Sequence, residues 1–474
     1  MATTLMSLKL FVNKEMNRVV FAESGNDFVD VLLSFLTLPI GTIIGLTGKQ
    51  SKMRSMSRLY ESVEDLDVNL LQAEACKDML LHPRSASEEQ CKNLKMNQDI
   101  CKKPPKVVAE GKDGVFVKGD VIYMISDDLQ VFPASTASAL SLFKDLGIGL
   151  RTTFEEHNVR VSAEEVLHLL ERLLFSKTPL TDTFLREQDM ASTADHNSIA
   201  TLNSSGHGMA QSQMEGENDI SSKRMSIKLI QNKSNHRIFY AETGTDFPDL
   251  LFSFLTFPLG AILKCLGGRS GIKSLDNLYK SIEDLNSKSS MKSEECKTLL
   301  LDPKLAPYFN SKNQLLQIEE EAPRNFLIKK CQICFNSDRL ECSHGLGSIM
   351  VHPINPKYPG AVTESGGAFL KEPTTFIVTD NLVVKPFSTI SVITLLSSYN
   401  IVMNDIEERD VNVGVLEAIS LLKASLISNT VLNDVFSPGN PIPNKIGYYR
   451  RMVASTINKA IEDGILHEDN YSNN

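Results

Sequence analysis

Cys331-Gln-Ile-Cys334, followed after seven residues by Cys342-Ser-His344, is the cluster with metal-ligand character in this chain of 474 residues. A CxxC turn presents two thiolates about one tetrahedral edge apart, and Zn²⁺ needs two further ligands. Cys342 supplies a third, and His344 or His352 a fourth. Four protein ligands make such a zinc structural, with no open position for catalysis. Short polar segments gain stability from a staple of this kind. The return pair is C-x-H rather than a second CxxC, so three readings stand together. They are a structural zinc at Cys331, Cys334, Cys342 and His344, inert reduced cysteines, and a redox pair. No other cofactor is indicated.

Gly41 to Ser51, GTIIGLTGKQS, looks at first like a phosphate loop. That motif requires Ser or Thr directly after the lysine to hold Mg²⁺, and a strand before the loop. Here Gln50 follows Lys49, the glycine spacing is wrong, and an apolar helix-like run precedes. A glycine-rich helix exit is the better reading. Neither GxSxG nor HExxH occurs.

The chain is one module written twice. Ser7–Gly41 aligns without a gap on Ser226–Gly260, with 19 of 35 positions identical. LYESVEDL (Leu59–Leu66) pairs with LYKSIEDL (Leu278–Leu285) at the same offset of 219. GVFVKGDVIYMISDDLQVFPASTAS, from Gly114, pairs with GAFLKEPTTFIVTDNLVVKPFSTIS, from Gly367, and Val161–Phe184 pairs with Val413–Phe436. The offset has by then grown to about 253, which places an insertion of some thirty residues in the second copy.

Chemistry essential to the module should appear in both copies. The matched carboxylates are Glu23/Glu242, Asp27/Asp246, Asp30/Asp249, Glu64/Glu283, Asp65/Asp284, Asp127/Asp380, Glu165/Glu417 and Asp182/Asp434. A pair such as Glu23 with Asp27 has the chemistry for acid–base work, yet capping and turn formation account for such residues without it. None of the nine histidines is matched: His82 faces Asp302, His157 faces Arg409, His168 faces Ser420 and His236 faces Asn17. A Ser–His or Cys–His mechanism shared by both copies therefore has no base. The matched hydroxyls Ser135/Ser388, Ser138/Ser391, Ser176/Ser428 and Thr178/Thr430 sit where helices or turns begin. Capping explains them more simply than anion binding at a helix N-terminus.

The elements that would carry these residues follow from pattern. Leu8–Val12 and Arg18–Ala22 flank Asn13–Asn17 as a hairpin would. Asp27 suits an N-cap, with Asp30 three residues on, before an apolar helix ending near Pro39. Asp246, Asp249 and Pro258 repeat the arrangement. The uncharged run Val31–Leu46 is too short to span a bilayer and is broken by proline, so a buried core helix is expected. Val121–Ile125 and Phe376–Val378 read as strands, Ser135–Leu146 and Glu164–Leu174 as helices. The fold class is α+β, in two tandem copies of a mixed module joined by a flexible linker. The first module covers 1–185, a polar linker 186–224, and the second module 225–436, with its cysteine-bearing insertion near 304–366. A loop and helical tail fill 437–474, with Tyr448–Leu466 the helix.

Net charge is -9 with a pI near 5.6, so nucleic acid and anionic membranes are not expected partners. No basic n-region and apolar h-region open the chain, and eight cysteines are too few for a disulfide scaffold. Cytoplasm or nucleus, with reduced thiols and no membrane span, is the expected location.

With these blocks in view, the chain resembles the plant family known as domain of unknown function 674. The carriers are KLFVNKEMNRVVFAESGNDFVDVLLSFLTLP and its twin, LYESVEDL and LYKSIEDL, the D-(D/N)-L-x-V-x-P segments and the LLxSKTxLTDTF-like helix. The resemblance covers nearly everything outside the linker and tail. It implies tandem or single copies, a plant origin and, in many members, two CxxC knuckles within the repeat. Here copy two keeps Cys331 and Cys334 but has Cys342-Ser-His344 in place of the second knuckle, and copy one has none. No reaction is implied.

The leading expectation is a non-enzymatic binding or regulatory protein with protein partners. Its two modules would act separately or clamp one partner across a tether of 39 residues, on the order of 35 Å as a coil. One alternative is a small-molecule-binding protein or enzyme in which Glu23, Asp27 and Asp127 converge in one pocket. A second is a zinc-stabilised nucleic-acid-binding protein, with Arg324, Lys329 and Lys330 beside the cysteine insertion. The sequence sets no oligomeric state.

Overall fold

The computed structural model describes residues 5–48, 53–92, 94, 114–149, 152–185, 224–331, 346–351, 353–360, 366–399 and 403–438. Repeat one opens with a hairpin, β1 (Met6–Asn13) and β2 (Arg18–Ser24), then α1 (Asn26–Ser34), α2 (Ile40–Thr47), α3 (Arg54–Asp65), α4 (Ala75–Leu81) and α5 (Glu88–Cys91). It continues with β3 (Tyr123–Ser126), β4 (Val131–Pro133), α6 (Thr136–Asp145), β5 (Phe154–Val161), α7 (Ala163–Phe175) and α8 (Pro179–Phe184).

Repeat two starts with β6 (Met225–Asn232), β7 (Ile238–Thr243), α9 (Asp246–Ser253), α10 (Leu259–Cys265), α11 (Lys273–Asp284) and α12 (Glu294–Leu301). A separate hairpin, β8 (Phe326–Cys331) with β9 (Leu346–Val351), lies in the insertion. The copy closes with β10 (Phe376–Thr379), β11 (Val384–Pro386), α13 (Thr389–Ser398), β12 (Ile406–Val413), α14 (Val415–Ile427) and α15 (Val431–Phe436). The fold is α+β, as expected.

Each repeat builds a five-stranded antiparallel sheet, in the orders β4-β3-β2-β1-β5 and β11-β10-β7-β6-β12. Alternation sets which face is buried: Met6, Leu8, Leu10 and Val12 point to the core, while Lys9 lies on the other face. The hairpin turn is made by Asn13, whose side chain accepts from the Glu15 and Met16 amides at 2.9 and 3.1 Å. Asn232 does the same for Ser234 and Asn235. The turn closes on a left-handed residue, Asn17 at φ 45° and His236 at φ 55°. The unmatched His236 thus occupies a turn position that asparagine fills in its twin.

The apolar run after β2 breaks at proline, as its sequence predicts. α1 gives way to a 3-10 turn over Phe35–Thr37, and α2 begins again after Pro39. Repeat two is identical in form around Pro258. The expected N-cap is corrected. Gly25 and Thr245 occupy the caps, and Asp27 and Asp246 fall inside the first turn, where they favour the helix dipole instead. α2 and α10 cross their neighbours closely at Gly41 and Gly260. A Cβ there would lie 2.7 Å from the Leu80 carbonyl oxygen and 2.4 Å from that of Leu300. Gly41 therefore serves packing, not a phosphate.

One core runs through both repeats. Residues from Met6 to Phe436 form a single buried cluster, with α3 of repeat one packed on α14 and β11 of repeat two, and α11 of repeat two packed on α7 and β4 of repeat one. Five pairs of hydrogen bonds across this seam are twins, as a two-fold axis gives, beside single ones such as the Tyr123 hydroxyl to the Ser290 carbonyl at 2.8 Å. Ile40 N–H donates to the Phe257 carbonyl and Leu259 N–H to that of Leu38, both at 3.1 Å. Gln72 and Lys371 bond the Phe369 and Leu70 carbonyls, and Lys292 and Lys118 bond those of Phe116 and Ser290. The Ser55 and Ser274 hydroxyls donate to the Ser428 and Ser176 carbonyls, while Ser62 and Ser281 accept from the Val384 and Val131 amides. The expectation of two modules acting separately is corrected by this packing. Each sheet's inner face is completed by a helix of the other copy.

Candidate interaction surface on the second repeat

Four of the eight matched carboxylate pairs are engaged by the fold: Asp30/Asp249, Asp127/Asp380, Glu165/Glu417 and Asp182/Asp434. Asp30 is 3% exposed and accepts the Val115, Phe116 and Val117 amides at 2.5, 2.8 and 3.0 Å. It thereby fastens the G-V-F-V segment over α1. Burial outweighs those three donors and pushes its pKa to about 6. Asp249 takes the Phe369 and Leu370 amides at 2.6 and 3.2 Å, and the Ser311 hydroxyl as well. Burial raises its pKa also. Asp127 accepts from Arg18 Nε at 2.7 Å and from the Thr181 amide and hydroxyl, both at 2.9 Å, so it joins the β3–β4 turn to α8. Asp380 holds the Asn433 amide and side chain in the same place.

Glu23, Asp27 and Asp127 do not converge. Asp127 is bonded to Arg18 at one end of β2, and Glu23, near the other end, pairs across from Lys9. Five residues of strand separate those ends, about 16 Å. Glu165 closes the Ser162 capping box of α7, and Asp182 accepts from Ser176 at 2.5 Å. Ser135 caps α6 through the Ser138 amide. Ser176 and Ser428 accept the Thr178 and Thr430 amides at 2.8 and 3.0 Å, whereas the Ser388 and Thr178 side chains make no cap bond.

Cys331 ends β8, its Cα paired with Leu346. Cys334, Cys342, His344 and His352 lie outside the described residues, so the candidate zinc ligands are bracketed by the hairpin without being seen together. Among the described residues no group of three or more His, Cys, Asp or Glu is placed to hold a metal.

The insertion contributes a charged residue that the sequence did not single out. Lys357 is 1% exposed. Its Nζ donates to the carbonyls of Asn310 (2.6 Å) and Gly367 (3.2 Å) and sits 3.7 Å above the Phe369 ring. Burial pulls its pKa down to about 8, against the nearby Asp249 carboxylate that raises it. This ammonium clamps the insertion to the segment that Asp249 also holds.

Two features face outward. An open cleft of about 620 Å³ runs along the seam, lined by Arg58, Glu61, Asp65 and Leu66 of repeat one and by Lys385, Phe387, Ser388 and Ser391 of repeat two. Beside it α13 covers the outer face of its sheet with Val392, Leu395 and Leu396. The rest of this uncharged helix is open. Ile390 is 71% exposed, Ile393 53% and Phe387 42%. The equivalent positions in repeat one are Ala137, Leu140 and Ala134, so the fold itself does not demand bulk there.

The edge strands were missed as a repeat as well. Phe154–Val161 (FEEHNVRV) matches Ile406–Val413 (IEERDVNV). Glu156 meets Lys9 at 2.8 Å and Glu408 meets Lys228 at 2.9 Å. Charges of this kind keep an open edge from pairing with another chain.

The fold and its shared seam define a protein of two mutually completing α+β repeats. It belongs to the DUF674 family, proteins of unknown function, whose model matches residues 2–107 and 101–416. No curated protein and no solved structure matches the chain. No helix among the described residues is long and apolar enough to cross a membrane.

Proposed function

We propose that the chain is a non-enzymatic protein-interaction protein that offers the outer face of α13 to a partner. The observation that carries this is the exposed set Phe387, Ile390 and Ile393, where repeat one has two alanines and a leucine. Contiguous exposed apolar side chains cost solubility and mark binding surfaces. The seam cleft beside them adds Arg58, Lys385, Glu61 and Asp65 as polar neighbours for specificity. Half of the matched carboxylate pairs are engaged with backbone amides and nearby hydroxyls, and Glu23 and Asp127 lie at opposite ends of β2, which favours binding over catalysis. Cytosol or nucleus fits this reading, since Cys76, Cys91, Cys265 and Cys296 form no disulfide among the described residues.

The test is affinity capture from the source tissue with the full chain, with Ile390→Asp/Ile393→Asp, and with Leu140→Asp on α6. Loss of a partner with the α13 pair and its retention with Leu140→Asp is expected. Partners captured equally by all three proteins would overturn the reading.

We also propose a structural zinc at Cys331, Cys334, Cys342 and His344. It is supported by ligand spacing and by a hairpin that brings the flanks of the segment together at Cys331 and Leu346. Metal analysis should find one zinc per chain, lost in Cys334→Ser. Metal-free protein of unchanged stability would remove the idea.

A further inference from the structure

The seam joins two halves of one chain, yet its twinned bonds have the form of a contact between identical subunits. In such a contact one patch is offered from both sides and is complementary to itself. We infer that the seam surface of repeat one also accepts a second repeat one, so that the partner it fits outside its own chain is the same repeat of another copy. The α13 ledge has no part in this pairing.

The twinned bonds are indifferent to which copy supplies them. In three of the five pairs both donor and acceptor are backbone groups. Between two first repeats the Ile40 amide meets the Leu38 carbonyl in place of that of Phe257. The Gln72 amide likewise meets the Phe116 carbonyl, and the Lys118 amide that of Leu70. The hydroxyls of Ser55 and Ser62 keep backbone partners as well. Ser176 and Val131, which serve Ser274 and Ser281 in the folded chain, take the places of Ser428 and Val384.

Packing tolerates the exchange too. The 3-10 turns have one sequence, Phe35-Leu36-Thr37 and Phe254-Leu255-Thr256. The first packs on α10 and α12 of repeat two, the second on α2 and α4 of repeat one. Bridges across the seam join Pro39 to its twin Pro258, Val117 to Met291 and Leu71 to Leu370. Pairing like with like puts Leu71 where Val117 met Met291, and Met291 where Leu370 met Leu71. Both are exchanges of leucine with methionine at buried positions, the volume-conserving swap that cores bear best. Leu38 in place of Phe257 removes bulk and brings no clash.

The unpaired bonds favour repeat one over repeat two as the self-pairing half. The Tyr123 hydroxyl donates to the Ser290 carbonyl at 2.8 Å, and Asp128 meets the Lys273 ammonium at 2.9 Å. Each occurs once, because the twins of Tyr123 and Asp128 are Phe376 and Asn381. Two first repeats bring both residues twice. The Leu70 carbonyl then stands for that of Ser290, and Arg54, which opens α3, stands for Lys273, which opens α11. Two second repeats bring neither. In the intact chain the linker holds repeat two at an effective concentration on the order of millimolar, so self-pairing in dilute solution requires that link to be cut.

The test uses the full chain with a protease site in the 186–224 linker, cut after folding, unfolded in urea and refolded. The halves differ in mass, so native mass spectrometry separates the three kinds of pair. With additive contacts about one particle in four should be a pair of first repeats. Mixing cut protein with an isotope-labelled cut preparation in native buffer gives the same reading without unfolding, and mixed-label particles prove that the halves have exchanged. Exchange that yields only pairs of repeat one with repeat two overturns the inference. Tyr123→Phe/Asp128→Asn removes one set of side-chain bonds from the mixed pair and two from the pair of first repeats. The ratio of the second to the first should therefore fall about fivefold or more. A ratio that does not move places the contact elsewhere than the seam and overturns the inference as well.

Discussion

Asp30→Asn tests whether burial or hydrogen bonding governs the buried carboxylates that fasten each repeat. Asp30 is 3% exposed and accepts three backbone amides. Three such donors alone would pull a carboxyl low, whereas burial alone would push it high. Burial prevails, and the folded pKa stands at about 6 against an ordinary 3.8. At roughly 1.4 kcal/mol per pH unit this difference is worth about 3 kcal/mol.

The sign follows from proton binding. The folded state holds the proton more tightly, so the associated stability is full below about pH 3.8 and is lost as pH rises through about 6. Urea unfolding of the parent across that window should therefore show stability falling by about 3 kcal/mol from this group. Asp249, Asp127 and Asp380 are shifted upward by burial as well, so the total slope is steeper. The difference between parent and variant isolates Asp30. Asparagine keeps one oxygen for the amides and does not titrate. Its curve should be flatter by that amount, with a pH-independent offset of about 1–3 kcal/mol for the poorer acceptor. Parallel curves would refute the dominance of burial. A variant whose stability falls more steeply with pH than the parent's would show that the amides win.

Two further outcomes follow from the packing. A protease site placed in the 186–224 linker and then cut should leave the two halves as one particle on size exclusion, because the seam bonds are twinned and the core is shared; halves that separate in native buffer would refute the interlock. Thr183 is 1% exposed with a hydroxyl that has no hydrogen-bond partner, and Val435 occupies the equivalent position in repeat two. Thr183→Val should therefore raise stability by about 1–2 kcal/mol in urea melts, and a loss of stability would show that the hydroxyl is satisfied in solution.

The elements with local causes were legible. The β1–β2 hairpin rests on period-two apolar residues and an asparagine turn, and the α1–α2 break rests on Pro39. What the sequence could not convey was ownership. An amphipathic α3 announces that it must cover something, but not that it covers β11 and α14 of the other copy. Ser55, Ser62, Ser274 and Ser281 look like surface hydroxyls on polar helices, yet all four are buried at the seam. Lys357 is equally opaque, since its burial depends on two carbonyls from distant segments. The α13 ledge was hidden for the opposite reason: a charge-free helix reads as core on every side. Only the sheet shows that Val392 and Leu396 face inward while Ile390 and Ile393 are left out.

The comparison of the copies then separates two kinds of residue. Where a side chain makes the twinned seam bond the residue is the same in both copies, Ser55 with Ser274 and Ser62 with Ser281, whereas twinned backbone bonds tolerate change, as Gln72 against Lys292 and Leu70 against Ser290. The α13 ledge and the insertion that carries Lys357 and the cysteines are among the places where the copies depart from one another. A shared core leaves little room for one copy to drift in its interior without disturbing the other. Its outer helix is free to do so. Specialisation of this chain is therefore expected on repeat two's outer surface, where a substitution changes what the protein touches and not how it folds.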